Sequence, residues 1–300
     1  MMKQTSKPAS AIEVFDRNLL RHRRERAAHG ISQYDFLYKE VAERLAERLD
    51  LVKREFPLMV SLSGAPAAHP QARKGTEHII RMDAAFGMRP DIVVDEEFLP
   101  LAKGSVDAIV SNLNLHWVND LPGALLQIKQ ALKADGMFMA ALLGGESLYE
   151  LRHCLMEAEL AVTGGASPRV SPFADSQDVG ALMQRAGFAL PVVDSDKIVV
   201  RYAHPLKLMQ DLRGMGASNA TYSRLMKPTR RGVLLKAAEI YHDKFADADG
   251  AVPATFHVIY AIGWAPDESQ QKPLKPGSAR NKLAEALKVS EISTDEKAQP

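Results

Sequence analysis

Apolar residues recur at helical spacing at Phe36, Leu37, Val41, Leu45 and Leu49, which predicts an amphipathic helix over residues 35–50 packed against the next element of the chain. The period then changes. Phe56 to Leu62 is an almost unbroken apolar run, suited to a strand buried on both faces. Two shorter runs, 78–82 and 91–94, read as strands that each end on an acid, Asp83 and Asp95, and VDAIVS at 106–111 reads as a fourth. Leu121, Leu125, Ile128 and Leu132 share one face of a helix expected over 120–133, which Asp135-Gly136 ends before a fifth strand at 137–143. Further on, the pattern predicts a helix at 175–186 stopped by Gly187, a strand at 192–202, helices near 205–215 and 231–245, and a last strand at 254–264.

Alternating strands and helices of these lengths imply right-handed crossovers and an α/β fold with a mostly parallel, doubly wound sheet. The two late strands complete seven. Ligands of such sheets sit beyond the carboxyl ends of the strands at the switch in strand order, and that rule alone singles out Gly64, Asp83, Asp95 and the residues after Ser111. The domain plan is an N-terminal helical extension (1–50), the α/β domain (51–265) with helical insertions near 144–190 and 205–250, and a flexible polar tail (266–300) with helical turns near 280–287.

Composition narrows the classes. With 46% hydrophobic and 25% charged residues the 300-residue chain is globular, and a net charge of +1 gives no push toward nucleic acid. The one cysteine, Cys154, excludes an internal disulfide and a multi-cysteine metal site, and in LRHCLMEAEL it reads as a buried, inert thiol. His204, His242 and His257 show no metal-ligand spacing, so no metal is expected. No apolar run approaches the ~18 residues of a membrane span, so stable membrane insertion is not expected. MMKQTSKPAS lacks the apolar core of a secretory signal, so a cytoplasmic protein is expected. The arginine-rich segment 17–30 reads as a helix with a solvated charged face, and no oligomer signal stands out.

The runs VFDRNLLRHRRERAA, YDFLYKEVAERLAERL, DAIVSNLNLHWVNDLPGALLQIKQALKADGMFMAALLGGESLYELR, SPFADSQDVGALMQRAGF and DLRGMGASNA carry a resemblance. The chain resembles class I S-adenosylmethionine-dependent methyltransferases over residues 11 to about 265, and within them the complex I assembly factor 5 family; it is more distantly similar to malonyl-acyl-carrier-protein methyltransferases. The resemblance implies a Rossmann-like seven-stranded fold and S-adenosyl-L-methionine as cofactor. By it, Asp83 takes the ribose hydroxyls, Asp95 with Glu96 the adenine side, Asn112, Leu113 and Leu115 the methionine part, and Gly64 with Ser61 the turn after the first strand. It further implies a protein substrate, a complex I subunit among the candidates. The turn departs from the family pattern: Ser61, Ser63 and Ala65 stand where Asp, Gly and Gly are usual, and exchanging a carboxylate for a hydroxyl there costs about 1–3 kcal/mol of binding.

His116 and Trp117 are the candidate catalytic pair, with His116 as general base; the alternative is a packing corner. Glu146, at the start of the helix after the fifth strand, is read either as a cap or as a substrate contact, and Tyr34 with Phe36 either as a staple for the helix at 35–50 or as a wall of the cofactor pocket. Three readings stay open: an enzyme using the cofactor on a protein, by methyl transfer or arginine hydroxylation; a non-catalytic assembly protein that has lost the cofactor; and a malonyl-acyl-carrier-protein methyltransferase.

Overall fold

The computed structural model describes residues 13–63 and 65–271; Gly64 and the turns expected near 280–287 lie outside them. The described residues up to Pro266 belong to one compact unit. In the second unit, the described Asp267 carboxylate accepts hydrogen bonds from the Ser269 backbone and hydroxyl.

Seven strands form one sheet. They are β1 (Leu58–Ser63), β2 (His78–Asp83), β3 (Ile92–Val93), β4 (Val106–Asn112), β5 (Leu132–Leu143), β6 (Ala189–Tyr202) and β7 (Val252–Trp264), in the order β3-β2-β1-β4-β5-β7-β6. β1 to β5 are parallel and β7 runs antiparallel to both β5 and β6. The expected fold class therefore stands. The chain winds outward from β1 through β2 to β3 and returns on the other side of β1 as β4, so the switch point lies where Ser63 pairs with Asn112.

Helices α1 (Arg17–Ala28) and α2 (Phe36–Asp50) precede the sheet, and α3 (Leu121–Ala131), α4 (Tyr149–Thr163), α5 (Ser176–Ala186), α6 (Pro205–Gly214) and α7 (Arg231–Phe245) come within it. Side chains alternate across the strands. Met59, Ala108 and Met139 pack with Leu37 and Val41 of α2, whereas Val60, Ile109 and Phe138 pack with Leu125 and Ile128 of α3. Each fully buried aliphatic side chain in these layers contributes about 1.5–3 kcal/mol.

Three local expectations are corrected. Asp135-Gly136 does not separate a helix from a strand: β5 already begins at Leu132, and the pair forms a bulge between Val106↔Leu132 and Ala108↔Met137, with Asp135 at φ 56°. The strand expected at 91–94 shrinks to the exposed two-residue edge of β3. α1 forms, but not as a solvated helix, because Leu20 and Arg24 are buried.

Candidate cofactor site

The carboxyl ends of β2, β3 and β4 bring Asp83, Asp95, Glu96 and Asn114 together around two arginines of α1. Arg24 is 4% exposed; its guanidinium donates to Asp83 Oδ2, to Asn114 Oδ1 at 2.9 Å and to the Ser63 carbonyl at 3.1 Å. Arg17 donates to Asp95 Oδ1 at 2.9 Å, to Glu96 Oε2 and to the Trp117 carbonyl at 3.2 Å. Asn114 closes the network by donating to Glu96 Oε1 at 2.7 Å. Asp83 and Glu96 are 1% and 0% exposed, so these partners rather than water satisfy their oxygens. Burial pushes the Asp83 carboxyl up to about 7, while Arg24 and the Ala85 N–H pull the other way.

α1 is fastened at several other points. Asn119 Oδ1 accepts the Val14 and Phe15 N–H groups at 2.8 and 2.7 Å, and Asp16 N donates to the Ala220 carbonyl at 2.8 Å. Glu25 accepts from the Phe86 and Gly87 N–H groups at 2.6 and 2.7 Å, which seats the helix over the turn after β2. Leu20 packs in a cluster with Phe15, Trp117 and Ala220. Arg17, Leu20 and Arg24 fall at i, i+3 and i+7, the spacing of one buried helix face.

Several residues expected at the site point elsewhere. The Ser61 hydroxyl is 1% exposed and bonded at 2.8 Å to His69 Nδ1, so it is committed to the chain behind β1. Burial, with Arg81 second, pushes that histidine down to about 4. Asn112 donates to the Tyr38 and Ala68 carbonyls, both at 3.1 Å, and ties α2 to β4. Leu115 is 1% exposed in the core beneath α3, and Leu113 is buried in the layer beneath α2. Leu113 has φ 49°, a left-handed conformation that turns the chain at the end of β4 and presents Asn114 to the site. The sequence placed Asn114 only within the segment after Ser111 and did not single out Arg17 or Arg24 as cofactor-site residues. A leucine flanked by arginines at helical spacing was the available signal.

Trp117 is 4% exposed and meets Phe15 edge-on at 5.5 Å, a packing corner for the N-terminal segment. His116 packs edge-on against Phe173 at 5.6 Å, and its Nδ1 accepts from Leu143 N at 3.5 Å. Burial, then the Arg24 charge, pushes its imidazole down to about 3, so it is neutral near pH 7 and a weak proton acceptor. Glu146 pairs with Lys197 at 2.6 Å and lies before α4 rather than in it; Glu150 is buried and accepts from Thr255. Burial raises the Cys154 thiol to about 12. Among the described residues no His, Cys, Asp and Glu cluster could hold a metal, and no helix is long and apolar enough to cross a membrane.

Phe173 also borders a second cavity of about 650 Å³ under α4, lined by Gly145, Arg152, Met156, Pro168 and Val170. The loop that forms it is pinned by Glu159, which accepts from Arg169 at 2.5 Å and from Ser167 at 2.8 Å.

A nucleotide-type group suits this donor and acceptor set: two carboxylates at adjacent strand ends, the Asn114 amide bonded to one of them, and one buried donor, Arg24 Nε, with no partner among the described residues. A ribose on Asp83 and the guanidinium of Arg24 nevertheless need the same carboxylate oxygen. The fit holds for the residues, and it requires Arg24 to let go.

The sheet order and these strand-end acids define a class I methyltransferase fold. Residues 61–140 match the family described as a methyltransferase domain. The chain is 40% identical to the mitochondrial arginine-hydroxylase NDUFAF5 of Danio rerio over 95% of this chain and 93% of that protein. It is 34% identical to the malonyl-[acyl-carrier protein] O-methyltransferase of Methylovorus sp. (strain MP688), over 84% and 90%. The solved structure of the YcgJ protein from Bacillus covers 75% of this chain and 99% of its own at a TM-score of 0.50 and 13% identity, a likeness of fold. The chain belongs to the NDUFAF5 family. S-adenosylmethionine is the cofactor of the methyltransferase class. The expectation of a cytoplasmic protein is corrected by the relatives, whose name reads mitochondrial. Lack of a secretory signal separates secreted from non-secreted chains and carries no information between cytosol and mitochondrion.

Proposed function

We propose that this chain is an S-adenosylmethionine-dependent, methyltransferase-like protein that acts on a protein substrate during respiratory complex I assembly. The observation that supports it best is the convergence of Asp83, Glu96 and Asn114 at the carboxyl ends of β2, β3 and β4, on both sides of the switch point at β1. In this reading Asp83 takes ribose hydroxyls once Arg24 releases it, Glu96 and Asp95 face the adenine side, and Asn114 orients both. When bound, the cofactor supplies an activated methyl group. The chain's own part is to hold the reactants in line and exclude water. His116, with its proton affinity lowered, serves as a packed wall between this site and the cavity under α4, and that cavity takes the substrate side chain. The mass of the modified substrate distinguishes an added methyl from the oxygen that the relatives' name, arginine-hydroxylase, describes for them.

Calorimetry with S-adenosylhomocysteine tests the cofactor step. Saturable binding that disappears in Asp83→Ala, measured on protein shown to be folded, is expected. Absence of heat at millimolar ligand would instead favour a second reading, a non-catalytic assembly protein in which Arg17 and Arg24 permanently satisfy the old cofactor acids. The buried Arg24–Asp83 pair is the observation on that side.

A further inference from the structure

Five of the twelve residues of α1 are arginines, against a single acid, Glu25. Arg17 and Arg24 meet the acids of the sheet. Arg23 and Arg26 face away from them, and with Arg213 at the end of α6 they line a cavity of about 550 Å³ whose wall also holds Tyr34, Gln210 and Ser218 but no carboxylate. Among the described residues neither Arg26 nor Arg213 has an ion pair. Asp211, the nearest acid along α6, is engaged by Lys207 at 2.5 Å.

Two features make this a shaped site as well as a charged patch. Arg23 is anchored, its Nη1 donating to the Ser218 and Asn219 carbonyls at 2.8 and 2.5 Å, which fixes the fork and leaves its other nitrogens for a ligand. Burial, then the charges of Arg224 and Arg26, holds the Arg23 pKa below its usual value. Tyr34 forms a flat wall because Gly214 lets its ring lie on the α6 backbone: a Cβ there would collide with the ring.

A cavity of this size falls in the range of small-molecule sites, about 300–1,000 Å³, and a lone phosphate would leave most of it empty. Guanidinium forks bind phosphoryl oxygens in pairs, and an aromatic face accepts a planar group. We propose that this cavity binds a phosphorylated small molecule of nucleotide size, with its phosphoryl groups on Arg23, Arg26 and Arg213 and its planar part against Tyr34. The Tyr34 ring set beside Arg23, Arg26 and Arg213 in one cavity favours such a ligand over an extended acidic peptide.

Calorimetry on the full chain provides the test, with ATP, pyrophosphate, citrate and a polyglutamate peptide as probes. ATP is expected to bind saturably, pyrophosphate more weakly, and excess S-adenosylhomocysteine to leave ATP binding unchanged. Arg26→Ser/Arg213→Ser should weaken ATP at least roughly tenfold, since each fork contributes a charge-assisted pair of bonds. Both arginines are exposed, so the double variant should keep the parent's melting temperature. No saturable ATP binding, binding untouched by the double variant, citrate as tight as ATP, or a polyglutamate complex that ATP does not displace would each overturn the assignment.

Discussion

The two sides of α1 carry the same residue type in opposite circumstances. Toward the sheet, Arg17 and Arg24 are matched against Asp95, Glu96 and Asp83 in a water-poor network; away from it, Arg23 and Arg26 face a cavity without a carboxylate. Buried charge is tolerated only where it is paired, so the inner arginines are bound to specific partners. Exposed charge is screened by water, so Arg26 carries no such demand, and Arg23, held by two backbone carbonyls rather than by an acid, keeps its remaining nitrogens for a ligand. One helix thus fastens the candidate cofactor site with one face and opens a second site with the other.

The sharpest way to break this comparison is to remove an inner partner. Asp83→Ala leaves Arg24 buried with its main partner gone, and should cost about 3–5 kcal/mol by urea denaturation. A loss under 1 kcal/mol would show that Arg24 leaves with α1 and that the helix is only loosely docked. Replacing both charges, Arg24→Met with Asp83→Asn, should recover most of that loss.

The next effect is on pH. His116 is held down to about 3 when folded, against 6.5 for the free side chain, so the unfolded chain takes up a proton that the folded chain refuses. Its contribution is therefore complete above pH 6.5 and is lost as pH falls toward 3, with about 2 kcal/mol gone by pH 5. Asp83 acts in the opposite sense, because a carboxyl raised to about 7 favours the folded state when it protonates. The His116→Gln variant isolates the histidine: between pH 7 and 5 it should lose about 2 kcal/mol less than the parent, and an equal loss would mean the ring is solvated. In Arg24→Met the His116 pKa should rise, read by NMR titration, since the Arg24 charge is the second cause of its depression.

Smaller still is Glu25→Ala, which removes two charge-assisted bonds to the Phe86 and Gly87 N–H groups. A loss of about 1–2 kcal/mol is expected, together with faster hydrogen exchange in 17–28. On the outer face Arg26→Ser should change stability by no more than about 0.5 kcal/mol, with a slight gain where the repulsion from Arg23 is relieved. A loss above 1 kcal/mol there would mean that Arg26 has a partner and that the two faces are alike.

Where the information was local, it was legible in the sequence. The periodicity at 36–49 and the apolar run at 56–62 gave α2 and β1 nearly to the residue, and Gly187 stops α5 with φ 84° as its position required. Asp83 closes β2, the strand end at which the sequence placed it. Other residues looked equally suitable and were not: Ser61 turns to His69, Asn112 to the Tyr38 and Ala68 carbonyls, and Leu115 into the core. A strand end offers two faces, and a one-residue step decides which side chain meets the site.

By itself the sequence determined the order of elements, the seven-stranded sheet and the family, because hydrophobic period and turn chemistry act within a few residues of their cause. The tertiary structure alone decided that Arg24 meets Asp83, 59 positions away, and that Asn114 rather than Asn112 joins them. A charged side chain looks the same in a sequence whether water or a carboxylate satisfies it. Only the packing of α1 against the strand ends, which excludes the water, settles which of its arginines must be paired and which stay free.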